Sequence, residues 1–156
     1  MPLLRTTSEN PDYQKLVVLL DATLKILDGD DHDFYAQYNK SDAIKNVVVF
    51  YEKNDPLGCG AFKFYENKTV EIKRMYVLPE QRGKGIAHQI LNELEKWAKE
   101  LDYNNCILET GIKQVEAIGL YQKAGYTIIS NYGQYQGVEN SISVQKSIKQ
   151  SKNERG

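Results

Sequence analysis

The segment Arg82-Gly83-Lys84-Gly85-Ile86-Ala87 constrains this chain more than any other, because of what flanks it. An extended apolar run ends at Val77-Leu78-Pro79, and an amphipathic segment begins at Ile86. Strand, glycine turn and helix in that order leave several backbone N–H groups unpaired at the positive end of a helix. That is an anion site, and its size suits a pyrophosphate. The residues between the glycines separate the alternatives. A P-loop requires Ser or Thr directly after Gly-Lys, whereas Lys84 is followed by Gly85. A dinucleotide fingerprint requires a third glycine where His88 stands, although Glu109 lies at about the right distance for the acidic residue that holds a ribose hydroxyl. A nucleotide-binding α/β domain using Gly83, Gly85 and Glu109 therefore stays open, as does an ordinary glycine turn before a surface helix.

The rest of the pattern reads as one mixed α/β domain over residues 1–149, followed by a polar tail, 150–156. Leu3–Thr6 is a short strand, and Asn10-Pro11 caps a helix running to about Leu27, with Leu16, Leu19, Leu20, Thr23, Leu24 and Leu27 at helical spacing before Asp28-Gly29. Asp30 and Asp31 begin a second short helix through Tyr38. Three strand-like runs, Val47–Glu52, Gly58–Glu66 and Thr69–Val77, separated by Asn54-Asp55-Pro56 and Glu66-Asn67-Lys68, read as an antiparallel meander. After the glycine turn, Ile86, Ile90, Leu94, Trp97 and Leu101 form one buried stripe. Cys106–Thr110 is a fifth strand, able to lie parallel to the fourth through a right-handed crossover. A helix over Gln114–Ala124, strands at Tyr126–Ser130 and Ser141–Ile148, and a long Tyr132–Gly137 loop complete the series.

Three separated segments, in order, resemble the GNAT superfamily of acetyl-coenzyme-A-dependent N-acetyltransferases. Arg82, Gly85 and Ala87 occupy the fixed positions of its R/Q-x-x-G-x-G/A signature, Val70–Pro79 is similar to its central strand, and Ala117–Tyr126 to its last helix and turn. The resemblance covers residues 44–147 well and the first forty loosely. It implies a single, mostly antiparallel seven-stranded sheet with helices on both faces, strands four and five being parallel and splayed. It also implies acetyl-coenzyme A as co-substrate, with no metal.

Composition fits that reading. A chain of 156 residues with 41% hydrophobic content can bury one sizeable core. A net charge of −1 with interspersed signs offers no field for nucleic acid. No run has the length of a membrane helix or signal peptide, so a cytoplasmic protein is expected. Cys59 and Cys106 lack metal-ligand spacing and read as reduced thiols in or near the core, and one histidine, His32, among adjacent carboxylates does not make a metal site.

The resemblance assigns candidate residues. Backbone around Tyr76, Val77 and Leu78 would bind the pantetheine arm like an added strand. The amides of Gly83, Lys84, Gly85, Ile86, Ala87 and His88 would cradle the pyrophosphate, with charge from Arg82 and Lys84 unless either is simply solvated. Gln114 stands where many relatives carry Asn, and Lys123 lies on the same helix; both are placed with the cofactor. An alkylammonium of pKa near 10 must lose a proton before it attacks, and Glu71 is the candidate base, with Glu109 in reserve; the plain alternative is a surface glutamate paired with Lys73 or Lys63. Tyr121 stands at the general-acid position, facing the sulfur, unless it is a core tyrosine bonded to a carbonyl; the Val77 amide is the oxyanion donor. Tyr35, Tyr38, Glu109, Tyr132 and Tyr135 are placed in the acceptor groove, for a small-molecule amine or a peptide. A homodimer stays open. The rival class is a non-catalytic acetyl-coenzyme-A-binding sensor.

Overall fold

The computed structural model describes residues 2–29 and 43–149; the expected short helix at Asp31–Tyr38, and with it Tyr35 and Tyr38, lies outside them. Seven strands run in the order β1-β2-β3-β4-β5-β7-β6: β1 (Leu3–Thr6), β2 (Asn46–Glu52), β3 (Asp55–Glu66), β4 (Thr69–Val77), β5 (Asn105–Gly111), β6 (Thr127–Ile129) and β7 (Ser141–Ser147). The described helices are α1 (Pro11–Asp28), α2 (Ile86–Glu100) and α3 (Val115–Lys123). The expected mixed, mostly antiparallel sheet is present, with β4 and β5 parallel. Their pairing covers only Thr69↔Asn105, Val70↔Cys106 and Glu71↔Ile107, although β4 continues to Val77 and β5 to Gly111. No described helix is long and apolar enough to cross a membrane.

The chain divides into two compact units, Met1–Lys63 with Lys73–Leu94, and Phe64–Ile72 with Glu95–Gly156. In the first, Asn10 caps α1 by accepting from the Tyr13 amide at 2.9 Å, Pro11 opens the helix, and Gly29 at φ 53° closes it. Tyr13, Leu16, Val17 and Leu20 face a core with Val47, Val49, Cys59, Ala61 and Tyr76. Leu19, expected in that stripe, is exposed. The run Leu16–Leu20 is apolar on every side, so spacing alone leaves the helix's phase open, and the sheet fixes it. Val48 points away from that core and is fully buried too, so the sheet is covered on both faces here. The second cover is α2, which comes down on glycines: Cβ atoms at Gly58 and Gly60 would lie 3.0 Å and 2.9 Å from Ile90.

Two boundaries differ from the sequence reading. Glu52 pairs with Asp55 and Tyr51 with Pro56, so the reversal is the two-residue Lys53-Asn54 turn, and Asp55-Pro56 begins β3 instead of separating strands. Proline is tolerated there because it sits near the strand's start. The buried row of α2 continues by fours from Ile86 through Ile90 and Leu94 to Ala98, with Leu91 beside it. Leu101 falls beyond the helix and is exposed, and Trp97 is half-buried.

In the second unit, β7 pairs with β5 from Asn105↔Ser147 to Gly111↔Ser141 and with β6 along its other edge. The carboxylate of Glu95, 8% exposed, accepts from the Tyr126 hydroxyl at 2.9 Å and the Lys146 ammonium at 2.7 Å.

Two outcomes follow from this packing. Gly58→Ala sets a methyl group 2.9 Å from the Tyr76 carbonyl oxygen, a backbone atom that cannot swing aside. The substitution should cost about 1–3 kcal/mol, read as a lower guanidinium midpoint with an unchanged slope; an unaltered midpoint would refute the close approach. Cys59 and Cys106 are fully buried free thiols, each pushed up to about 12 chiefly by burial. Thiolate should then be roughly one part in 10⁴ at pH 8, and iodoacetamide should label neither cysteine before unfolding, as mass spectrometry of the native protein would show.

Candidate active site

The glycine turn belongs to the first unit. After β4 a short 3-10 turn, Pro79–Gln81, leads into Gly83 and Gly85, at φ 81° and 80°. Glycine adopts that backbone without strain, and side chains there would meet nothing within 4 Å, so conformation and not crowding selects it. Among the described residues the amides of Gly83, Lys84 and Gly85 donate to no backbone carbonyl, and the first bond closing α2 is Gln89 N–H to Gly85 O at 3.1 Å. The first turn of α2 carries no acidic residue, which leaves its positive end uncompensated by side chains. Residues 82–85 are exposed, Ile86 is buried, and Ala87 and His88 are half-buried.

Both cations of this turn are engaged. Arg82 folds back on β4, donating from Nε to the Val77 carbonyl at 3.0 Å, with its guanidinium 5.6 Å from the centre of the Tyr76 ring. Lys84 donates to the Gln81 side-chain carbonyl at 2.9 Å. The Leu78 amide donates to the Leu57 carbonyl at 2.9 Å. The expectation of open backbone around Tyr76 and Val77 therefore needs correction at two atoms, the Val77 oxygen and the Leu78 nitrogen.

The second unit brings together Glu71, Glu109, Tyr132 and Tyr135. Glu71 is only 4% exposed, so it is not a surface side chain, and it accepts from the Tyr132 hydroxyl at 2.7 Å. Burial, then the Glu71 charge and hydrogen bond, and more weakly Tyr135 and Glu109, hold the Tyr132 phenol well above its usual value, so its proton stays on the oxygen at neutral pH. The Tyr132 ring meets Tyr65 edge-on at 5.2 Å and Tyr135 at 5.6 Å.

Two contributors escaped the sequence reading. Tyr65 lies near the end of β3 at a half-buried position, and nothing in its spacing marks it. Asn131 pins the loop: its amide donates to the Val138 and Ser141 carbonyls, each at 2.9 Å, and its oxygen accepts from the fully buried Ser143 at 3.1 Å. An Asn directly before Tyr-Gly, at a strand-to-loop junction, was the available signal.

Tyr121 is buried on α3 with its ring edge-on to Tyr126 at 5.9 Å, and burial raises its pKa. Gln114 occupies the N-cap position of α3 without a side-chain cap bond, and Lys123 is exposed in its last turn. No group of three or more metal-ligating side chains is found among the described residues.

Known proteins share this fold. A protein from Klebsiella pneumoniae classed with the acyl-CoA N-acyltransferases superposes with a TM-score of 0.79 at 26% identity, covering 94% of this chain and 96% of its own. The PaiA N-acetyltransferase of Thermoplasma acidophilum, solved in complex with coenzyme A, gives 0.70 at 16% identity over 93% and 97%. In sequence, the IAA acetyltransferase of Azospirillum brasilense is 36% identical over 80 residues, 51% of this chain and 52% of that protein. The chain thus spans about half the length, or less, of the first curated relatives it matches. Residues 13–126 match the model of the acetyltransferase (GNAT) family, and the chain belongs to that family.

Proposed function

We propose that the protein moves the acetyl group of acetyl-coenzyme A to a primary amine of a small molecule or peptide, by direct transfer through a tetrahedral intermediate. One observation carries the reading: Glu71 is almost wholly out of water and accepts a hydrogen bond from the Tyr132 phenol, which keeps its own proton. A carboxylic side chain is costly to keep in the interior, and one placed beside an aromatic corner on β4 suits a chemical role. An incoming ammonium supplies the proton that the carboxylate removes. A sensor that only binds the co-substrate has no use for such a base.

The co-substrate fits the glycine turn. Amides of Gly83 through His88 at an exposed helix end without acidic residues suit a pyrophosphate, and the coenzyme A complex of the Thermoplasma protein is in line with this. When bound, acetyl-coenzyme A supplies the activated thioester. Arg82 and Lys84, held by Val77 and Gln81, add positive charge beside the turn. The Val77 N–H is the donor for the oxyanion. Tyr121, whose proton is retained through burial, gives it to the departing thiolate, whose own basicity rises when it is desolvated. Gln114 and Lys123 contact the pantetheine and phosphate portions. Tyr132 and Tyr135, with Glu109 behind them, line the acceptor side.

The test is thiol release from acetyl-coenzyme A across a panel of amines, amino acids and peptides, with two variants. Glu71→Gln should lower turnover roughly 10²-fold at neutral pH, with much of it recovered as pH approaches the amine pKa near 10. A wild-type pH profile in that variant would move the role of base to Glu109. Tyr121→Phe should also lower turnover roughly 10²-fold while coenzyme A affinity scarcely changes and stability falls by about 1 kcal/mol or less, since the ring and its packing are kept. Full turnover in Tyr121→Phe would end the general-acid assignment.

A further inference from the structure

Arg74 is a buried arginine used at only one end. It lies within β4, in the first unit, and its side chain is 3% exposed. Nη1 donates to Asp21 Oδ1 on α1 at 2.6 Å, whereas Nη2 is buried with no hydrogen-bond partner among the described residues. A guanidinium is a planar fork built to meet two oxygens, and a charged donor left unmade in the interior is more costly than a neutral one. Asp21 satisfies one tine. The same residue carries a second anomaly, a backbone φ of 60° inside a regular strand, which strains any side chain but glycine's. An unmet donor and a strained backbone at one residue are what a binding position retains and what a packing position loses. Tyr13 and Cys59 adjoin the group, the thiol donating to the Arg74 carbonyl at 3.4 Å, and neither offers Nη2 an acceptor. Asp21 is 48% exposed, so solvent reaches within one side chain of the guanidinium.

We propose that Arg74 is a carboxylate-recognition residue, its Nη2 receiving a carboxylate oxygen of a small ligand of the N-acylamino-acid class. A bidentate or charge-assisted bond formed out of water discriminates strongly between a carboxylate and its neutral amide, because the amide leaves the charge uncompensated.

The experiment separates the two readings by measuring binding and turnover apart. N-acetylamino acids and the matching N-acetylamino acid amides are titrated calorimetrically into the full-length protein, with and without coenzyme A. These probes carry no ammonium, so the comparison isolates the carboxylate. The wild-type protein should bind the carboxylate member at least tenfold more tightly, and the preference should disappear in Arg74→Met. Arg74→Lys, which keeps the charge and removes the fork, should retain only part of it and serves if Arg74→Met does not fold. Guanidinium ¹⁵N resonances of the wild-type protein give a readout that needs no substituted fold: one buried signal should move with the carboxylate and not with the amide. Equal affinity for both members, including no binding of either, overturns the proposal, as does a preference that survives in folded Arg74→Met. Inorganic phosphate moving the same resonance in place of the carboxylate overturns the ligand class. Loss of acetyl transfer with the carboxylate preference intact would instead count against the catalytic reading alone.

Discussion

Two carboxylates in the second unit, Glu71 and Glu95, are held more than nine-tenths out of water, and each takes a hydrogen bond from a tyrosine hydroxyl. The physical problem is the same for both: a charge removed from solvent has to be met by donors, or its proton returns. Glu95 solves it with an ammonium as well as a phenol, and Lys146 and Tyr126 then form a closed group that joins α2 to β6 and β7. That arrangement is structural, since everything it needs lies within the fold. At Glu71 the phenol of Tyr132 sits in an aromatic corner with Tyr65 and Tyr135, on a loop and not in a packed helix. The two acids thus share a tyrosine donor and differ in what surrounds it, packed elements at Glu95 and an aromatic loop at Glu71.

The first unit is governed by how closely backbone can approach backbone. Gly58 and Gly60 let α2 settle on β3, and the Gly58 position lies against the Tyr76 carbonyl near the end of β4. The start of α2 is thereby fixed from below, while Gly83 and Gly85 give the chain two left-handed residues with which to turn into it. Helix placement and the candidate anion site are consequently linked: the turn amides, which donate to no backbone carbonyl among the described residues, lead into a helix whose apolar row is fully buried at Ile90.

Most of this frame was legible in the residues. Asn10-Pro11, the Asn67-Lys68 reversal and the glycine turn carry their own local chemistry, and the structure uses each where the sequence puts it. Element existence was clearer than side-chain phase. Leu19 and Leu101 look as apolar as their neighbours, and only the sheet decides which side of a helix is covered. The candidate site was legible in part. Glu71 and Tyr132 are 61 residues apart, and no pattern in the chain announces that one will donate to the other at 2.7 Å. Arg74 was harder still, because its meaning lies in a donor that finds nothing to bond. In the sequence it is simply a cation in a strand.

Asn131 holds its loop by both ends of one side-chain amide, tying it to Val138, Ser141 and Ser143. The phenol next to it is therefore positioned from β7, and the exposed tip at Gln136-Gly137 does not decide where that phenol stands. Position and composition are uncoupled in this loop. Its tip can accept substitutions while the Tyr132–Glu71 bond persists, so the surface of this loop is free to drift at a few positions without moving the phenol beneath it.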